Sequence, residues 1–476
     1  MLALIMLVSV FAACGQKTDE PQVSQSPTPS ASGAEQENKE PEPVTLKLLG
    51  HSGIFETSEA VKSAVEKFKA DYPHITLDIT AIGSNEYNNK RAIMIAGGEQ
   101  VDAMAVSNPL DTLNLAQSGM IVPLNPYADA TGLKPEDILS QDIINMENFD
   151  GSIYKLPYTT TAWVLFYNKD IFDDAGVPYP DANKAMTWSE YREIAKKLTK
   201  GSGADKIYGA FQLVWPQYWY TYAISSLGGG ESFYTADGKS NISDPKFAEA
   251  LKFNYDMQFS DKSLIEYFDV KMQKLAVPTF ATGKYGMFYT GSFAINALAK
   301  QELDFKLGIA PLPIPDDADE SYKYTFGGST GFAVTRTAKH HNEAYTFAYE
   351  MVKNFAEVAD NIPAYKSDDT TDRICQIFAD KYPGHDLSAD LWKDLLFGEQ
   401  EFITEKIRYA EFRSGVDTVT MNVRAPIILN RDFSCSWSQR TSSERRAFAL
   451  FRMARWESVS VILSLISTRC SVPPTV

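Results

Sequence analysis

Apolar and polar positions from Val44 onwards alternate between the two-residue period of strands and the 3.6-residue period of helices. Apolar residues at 44, 46 and 48 predict one strand, and those at 75, 77 and 79 predict another. Between them, apolar residues at 61, 64, 65 and 68 predict a helix that Pro73 ends. A helix from Asn85 to Gly97 and a buried strand at 101–106 follow. This β-α-β-α-β order predicts an α/β fold with a mainly parallel sheet.

A second series of elements follows further along the chain. Thr187 and Glu190 have the spacing of a capping box at the start of a helix. Apolar spacing predicts helices at 246–258 and 344–352, and apolar runs predict buried strands at 285–289 and 330–334. Doubly wound sheets bind ligands at the carboxyl ends of their strands. The loops at 51–53 and 107–109 are therefore expected at a binding edge.

Composition narrows the possible classes of protein. The 476 residues predict two or three domains, and the formal net charge of −16 argues against nucleic-acid binding. The four cysteines are Cys14, Cys375, Cys435 and Cys470, and none lies in a CxxC or Cys/His cluster. The sequence therefore predicts no zinc site, no structural disulfide and no cofactor, and it predicts that Cys375 is a small buried side chain.

The first fourteen residues have the features of a secretion signal. Ten mainly apolar residues precede Phe-Ala-Ala-Cys, and this run is too short to span a bilayer. The small residues before Cys14 resemble a bacterial lipobox, which implies that Cys14 carries lipid and anchors the protein to the outer face of the cell membrane. Residues 15–43 are rich in Ser, Pro, Glu and Gln, so we expect a disordered tether.

The last part of the chain has a different composition from the rest. No lysine occurs after Lys406, and residues 431–476 are rich in Arg and Ser without a steady apolar period. One hypothesis is a basic interaction tail. The hypothesis that we favour is a frameshift, which would make 431–476 an atypical tail. If the tail replaces a packing helix, the product would be unstable and non-functional.

The segment PYTTTAWVLFYNKDIF at 157–172 carries the most specific motif. Its pattern is a small or proline residue, a small residue two positions later, two bulky apolar residues, Tyr-Asn, and an apolar residue four positions after the Asn. Those positions are Pro157, Thr159, Leu165, Phe166, Tyr167, Asn168 and Phe172. With GMIVPLNPYA at 119–128, AGVPYPDANKAMTWSEYREIAKKLT at 175–199, GSF at 291–293 and FGG at 326–328, the sequence resembles family 1 of the bacterial extracellular solute-binding proteins, which serve ABC sugar importers.

The resemblance implies a two-lobed, periplasmic-binding-protein-like fold (type II). Each lobe would be a mainly parallel sheet flanked by helices, and hinge crossings would join the lobes near Pro157, Lys284 and Gly331. The implied lobes are 44–157 with 284–330, and 158–283 with 331–430. The implied function is to capture a sugar or oligosaccharide in the cleft and deliver it to a membrane permease, as a monomer.

A sugar site needs planar polar side chains and aromatic platforms, with few charges. The resemblance implies stacking aromatics in 215–222 and at Phe293, among which we favour Tyr218 and Trp219, then Trp215. The alternatives are that these rings fill the core, and that the polar candidates only cap helices or form turns. The candidate ligand-binding residues are Ser52, Glu86, Ser107, Asn108, Thr161, Trp163, Trp215, Tyr218, Trp219, Phe293 and Gly328.

Two other functions remain open from the residues. A non-sugar solute such as an amino acid, polyamine, phosphate ester or metal is the first, but anion sites usually use arginine, which is scarce among the candidates. A secreted glycoside hydrolase is the second. The sequence has no nucleophile elbow, HExxH, Walker A or GxGxxG motif. We therefore predict a protein that is not an enzyme.

Overall fold

The computed structural model describes residues 42–83, 86–319, 321–365 and 367–404, together with Val416 and Thr420. The predicted signal peptide with Cys14, the tether up to residue 41 and the tail at 431–476 lie outside the described residues. Within the described part, no helix is long and apolar enough to cross a membrane.

The described elements alternate as the α/β pattern predicts. The strands are β1 Val44–His51, β2 Ile75–Ile82, β3 Ala103–Val106, β4 Asn148–Phe149, β5 Ser152–Ile153, β6 Leu156–Asn168, β7 Tyr208–Ala210, β8 Tyr285–Gly291, β9 Leu307–Ala310, β10 Tyr324–Val334 and β11 Glu401–Thr404. The first α-helices are α1 Ser52–Phe55, α2 Glu59–Asp71, α3 Tyr87–Ala96, α4 Pro109–Gln117, α5 Asn125–Thr131, α6 Pro135–Ile138, α7 Gln141–Glu147 and α8 Lys169–Ala175. The later ones are α9 Trp188–Leu198, α10 Gln217–Ser226, α11 Pro245–Tyr255, α12 Tyr267–Met272, α13 Phe293–Ala299, α14 His341–Val358, α15 Asp368–Asp380 and α16 Ala389–Phe397.

Short helices of other types also occur. In the described part of the chain, 3₁₀ segments lie at Gly203–Asp205, Gly230–Phe233 and Val277–Thr282, and a π-helical turn at Asp256–Ser260 extends α11. The predicted capping box of α9 is confirmed: Thr187 Oγ1 accepts from the Glu190 amide, and the Glu190 carboxylate accepts from the Thr187 amide.

Among the described strands, nine form one mixed sheet in the order β2-β1-β3-β10-β6-β8-β7, with β11 beside β10 and β9 beside β6, whereas β4 and β5 form a separate two-stranded hairpin. Strands β1, β2 and β3 are parallel to one another, as are β7 and β8. Between these two groups, the long strands β6 and β10 are antiparallel to each other; β6 is also antiparallel to β8 and β9, and β10 is antiparallel to β3 but parallel to β11. The predicted α/β, two-lobed class is confirmed, and β6 and β10 are the strands that pass from one group to the other.

Strand β6 changes partners halfway along its length. Residues 156–162 pair with β10, whereas 163–168 pair with β8 and β9. Strand β10 also connects the two groups: its first residues pair with β11, and its last residues pair with β3 in the first group. A third segment runs beside β6, where the Thr160 amide donates to the Ile362 carbonyl at 3.0 Å and the Ala364 amide to the Tyr158 carbonyl at 3.0 Å.

These pairings differ from the sequence-based lobe boundaries. Strand β8 begins directly after Lys284 and pairs with β6 and β7, so its pairing places it with the second group of strands. Helix α14 packs against α2, with Phe347 edge-on to Phe68, so it belongs with the first group of strands. Helices α15 and α16 pack beside the second half of β6 through Trp392 and Phe166. The segment 359–365, which carries no strand period in the sequence, connects α14 to α15 and runs beside β6.

The core holds large aromatic side chains on both sides of the crossing strands. Trp188, Trp219 and Trp392 are fully buried, as is the free thiol of Cys375, which confirms the prediction for that cysteine. Burial raises the pKa of Cys375 to about 12, which keeps the thiol protonated and unreactive at neutral pH.

Candidate functional site

A row of half-exposed residues follows one face of the two crossing strands. Thr161 on β6 lies opposite Gly328 on β10, and both are partly accessible while their neighbours in each strand are buried. Thr330, two residues further along β10, donates from Oγ1 to the Ser107 carbonyl at 3.5 Å. Because alternate residues of a strand face opposite sides, Thr161, Gly328 and Thr330 share one face. A Cβ added to Gly328 would lie 3.8 Å from Cδ of Pro109, so this face approaches the start of α4.

The same face continues to two aromatic rings. A side chain at Gly291 would clash with Thr161 and Phe293, so those two residues flank Gly291. Phe293 packs edge-on against Trp215 with ring centroids 5.6 Å apart. Trp215 is 40% exposed, in contrast to the other aromatic residues at 218–220. We call Thr330, Gly328, Thr161, Phe293 and Trp215 the crossing row.

Three of the predicted aromatic ligand contacts lie in the core instead. Tyr218 is 1% exposed and donates from its hydroxyl to Thr290 Oγ1 at 3.1 Å. Trp219 is 1% exposed and donates from Nε1 to Thr420 Oγ1 at 2.7 Å. Trp163 is 5% exposed and packs against Tyr218 at 5.2 Å. Among Trp215, Tyr218 and Trp219, only Trp215 presents ring surface to solvent, so burial favours Trp215 as the stacking ring.

The polar candidates at strand ends divide into two kinds. Ser107 and Asn108 are exposed directly after β3, and the Asn108 side chain caps α4 by accepting from the Asp111 amide at 2.7 Å. Ser52 begins α1 and accepts at its carbonyl from the Glu56 amide at 2.9 Å. Glu86 is exposed and paired with Lys90 at 2.5 Å, and this pairing lowers the Glu86 pKa. Ser107 and Asn108 lie beside the crossing row, where Thr330 donates to the Ser107 carbonyl, whereas Ser52 and Glu86 lie at the starts of α1 and α3.

A buried ion pair at the carboxyl edge of β1 and β3 was missed from the sequence. Arg91 on α3 is 3% exposed, lies over the Tyr87 ring at 5.1 Å and pairs with Asp111 on α4. The nearby His51 ring packs edge-on to Tyr87, and its partial burial together with the Arg91 charge lowers the His51 pKa. Asp111 matches the charge of Arg91, so the local net charge stays close to neutral.

A sequence signal for this pair does exist. Tyr87, Arg91 and Ile95 are spaced four apart, which places Arg91 on the buried face of α3, where an arginine is rarely found without a partner. Arg91 is thus an arginine that lies near the candidate residues although it was not among them. Groups of three or more His, Cys, Asp or Glu side chains that could hold a metal ion do not occur in the described part of the chain.

Comparisons with known proteins show the family. The family model for bacterial extracellular solute-binding proteins matches residues 55–357. A binding protein of Brucella abortus is 28% identical over 294 residues, which cover 60% of this chain and 66% of that protein, just under two thirds. An arabinooligosaccharide-binding protein of Halalkalibacterium halodurans is 24% identical, over 64% of this chain and 66% of that protein.

Solved structures share the fold. An ABC substrate-binding protein of Listeria monocytogenes in complex with cycloalternan superimposes with a TM-score of 0.67 at 22% identity, covering 80% of this chain and 94% of that one. A sugar transporter protein from Rhizobium etli in an open conformation gives a TM-score of 0.62 at 23% identity, covering 82% and 95%. The family model matches more than half of the 476 residues of this chain, so this chain belongs to the bacterial extracellular solute-binding proteins.

Proposed function

We propose that this protein captures a neutral sugar or oligosaccharide at the crossing row and delivers it to the membrane permease of an ABC importer. The observation that carries the proposal is the exposed Trp215 ring beside Phe293, next to the uncharged side chains of Thr161 and Thr330. An aromatic face offers the apolar surface on which a sugar ring stacks, and hydroxyls of threonine and serine match its polar edges. The names of the relatives, which include arabinooligosaccharide and maltooligosaccharide binders, support a carbohydrate ligand.

Strand pairing supports a revised division into lobes. In this proposal, residues 44–157 with 331–358 form the first lobe, and residues 163–326 with 367–404 form the second. The two crossing strands and the segment 359–365 act as the hinge. Ligand binds between the lobes, and hinge closure produces the form that the permease recognises.

Binding without catalysis fits the carboxylates next to the crossing row. Asp111 is paired with Arg91, and Glu147 is paired with Lys155 inside the protein. A glycosidase needs one carboxylic acid that stays protonated and a second carboxylate facing the scissile bond. With each carboxylate paired to a cation, these two are poorly suited to that role.

The test uses the full chain and three sugars suggested by the relatives: arabinotriose, diacetylchitobiose and maltotriose. A ligand that binds only the folded state adds about 2.7 kcal/mol to the free energy of unfolding at a hundred times its dissociation constant. We expect one sugar class to raise the melting temperature saturably and to change tryptophan fluorescence, with no product seen by chromatography. Product release would instead establish a hydrolase, and no shift with any sugar would favour a non-sugar solute.

The lipid anchor is a separate part of the proposal. If Cys14 carries lipid, the protein expressed in a bacterial host partitions with the membrane fraction, and Cys14→Ser releases it. The same distribution for both forms would contradict the anchor without affecting the proposed ligand.

A further inference from the structure

Lys155 and Glu147 form an ion pair that is fully excluded from solvent. Both side chains are 0% exposed, and Lys155 Nζ lies 3.4 Å from Glu147 Oε1. The two residues flank the β4–β5 hairpin, whose tight turn is made by Asp150 and Gly151, both at positive φ. The hairpin therefore brings the two charges together from either side of a seven-residue connection.

The pair also holds one residue of a crossing strand. Lys155 Nζ donates to Ser329 Oγ at 2.7 Å and to the Ser329 carbonyl at 3.3 Å. The Ser329 hydroxyl in turn donates to the Glu147 carboxylate. Within the described residues, the second carboxylate oxygen, Oε2 of Glu147, has no hydrogen-bond partner. The three side chains form a closed arrangement that we call the Ser329 clamp.

The Ser329 clamp lies directly behind the crossing row. Ser329 is buried, whereas its neighbours Gly328 and Thr330 are half-exposed on the opposite face of β10. Gly328 faces Thr161 across the ladder, and Thr330 reaches the Ser107 carbonyl. Holding Ser329 from behind therefore sets the position of the residues on the face in front.

The ladder needs such support at this point. The register of β6 and β10 shifts between Thr330 and Gly331, and a β-bulge of this kind disrupts the regular hydrogen bonding. Burying two charges is costly, and apolar residues of similar volume often replace a buried ion pair without loss of stability. Folding alone therefore gives no reason for charges at 147 and 155.

We propose that Lys155 and Glu147 are positioning residues for the ligand site, which fix the crossing row by holding Ser329. This inference rests on the proposed function for its effect on affinity. Its effect on the strands can be measured without any ligand, so the two proposals can fail separately.

The experiment compares the full chain with two variants, Glu147→Leu/Lys155→Met and Ser329→Ala. Amide hydrogen exchange is followed in peptides that cover 327–331 and 159–162. We expect amide exchange in these peptides to be at least about tenfold faster in both variants, because charge-assisted hydrogen bonds are lost. The melting temperature of the double variant should be unchanged. Ser329→Thr, which keeps a hydroxyl, is expected to restore slow exchange. In Glu147→Leu/Lys155→Met and in Ser329→Ala, the affinity for the panel sugar that saturates the wild type should fall by about tenfold.

The matched control is Arg192→Met/Asp261→Leu, which removes a partly buried ion pair in the second lobe, where Arg192 Nε lies 2.5 Å from Asp261 Oδ2. It should leave exchange in 327–331 unchanged. Wild-type exchange in both the double variant and Ser329→Ala would overturn the proposal, and Ser329→Ala decides alone if the double variant does not fold. If no sugar of the panel binds the wild type, the proposed function fails while the exchange result still decides the role of the clamp.

Discussion

Replacing Trp215 by Ala should weaken ligand binding while leaving the fold largely intact. Trp215 is 40% exposed, and a tryptophan of this exposure presents on the order of 100 Å² of ring surface. At about 25 cal/mol per Å², covering that surface contributes about 2.5 kcal/mol, or about 70-fold in the dissociation constant. Because a sugar covers only part of the ring, we expect a loss of about 10- to 70-fold by isothermal titration at 25 °C with the sugar that saturates the wild type.

The matched control is Trp219→Phe, four residues along the same segment. Trp219 is 1% exposed, and its Nε1 donates to Thr420 Oγ1 at 2.7 Å. Losing this hydrogen bond and some packing volume should lower the free energy of unfolding by about 1.5–3 kcal/mol, with affinity unchanged. Affinity within twofold of wild type for Trp215→Ala would refute the role of the exposed ring. An equal loss of affinity in Trp219→Phe, measured where the variant is folded, would refute the reasoning from burial.

Three further changes test the fold. Burial, with the nearby positive charge of Lys169, lowers the pKa of His385, whose Nδ1 accepts from the Leu307 amide at 2.9 Å. The folded state favours the neutral ring, so the stability that His385 contributes is present above about pH 6.5 and is lost as pH falls through the lowered pKa. His385→Asn should therefore flatten the fall in melting temperature between pH 7 and 5. Gly331→Ala places a Cβ against the Leu156 carbonyl, so we expect about 1–3 kcal/mol of destabilisation in urea unfolding, and wild-type stability would contradict the close approach of the crossing strands. Thr187→Ala removes the capping box of α9 and should cost about 1 kcal/mol in the same assay, whereas Thr187→Ser should cost little.

Local elements could be predicted from the sequence because their causes lie within a few residues. The capping box needs only Thr187 and the residue three positions on, and β1 and β2 follow from apolar alternation. The motif at 157–172 identified the family, and its Thr161 lies in the crossing row. Trp215, Phe293 and Gly328 were also among the predicted site residues, because the family resemblance pointed to the segments that contain them.

Contacts between distant segments could not be predicted in this way. Strand β8 was assigned to the first lobe, since nothing in its apolar run specifies which neighbouring strand it pairs with. Trp215 and Trp219 lie in one aromatic segment, and composition does not distinguish the ring that faces solvent from the ring that meets Thr420.

The sequence by itself determined the α/β class, the family and the segments that carry the site, because periodicity and short motifs are properties of neighbouring residues. Only the tertiary structure decided which side chains face the crossing row and which charges are paired. Glu147, Lys155 and Ser329 meet although the last two are 174 positions apart in the sequence. Burial and partner choice depend on how the strands pair across such distances, and a single chain's local pattern does not contain that information.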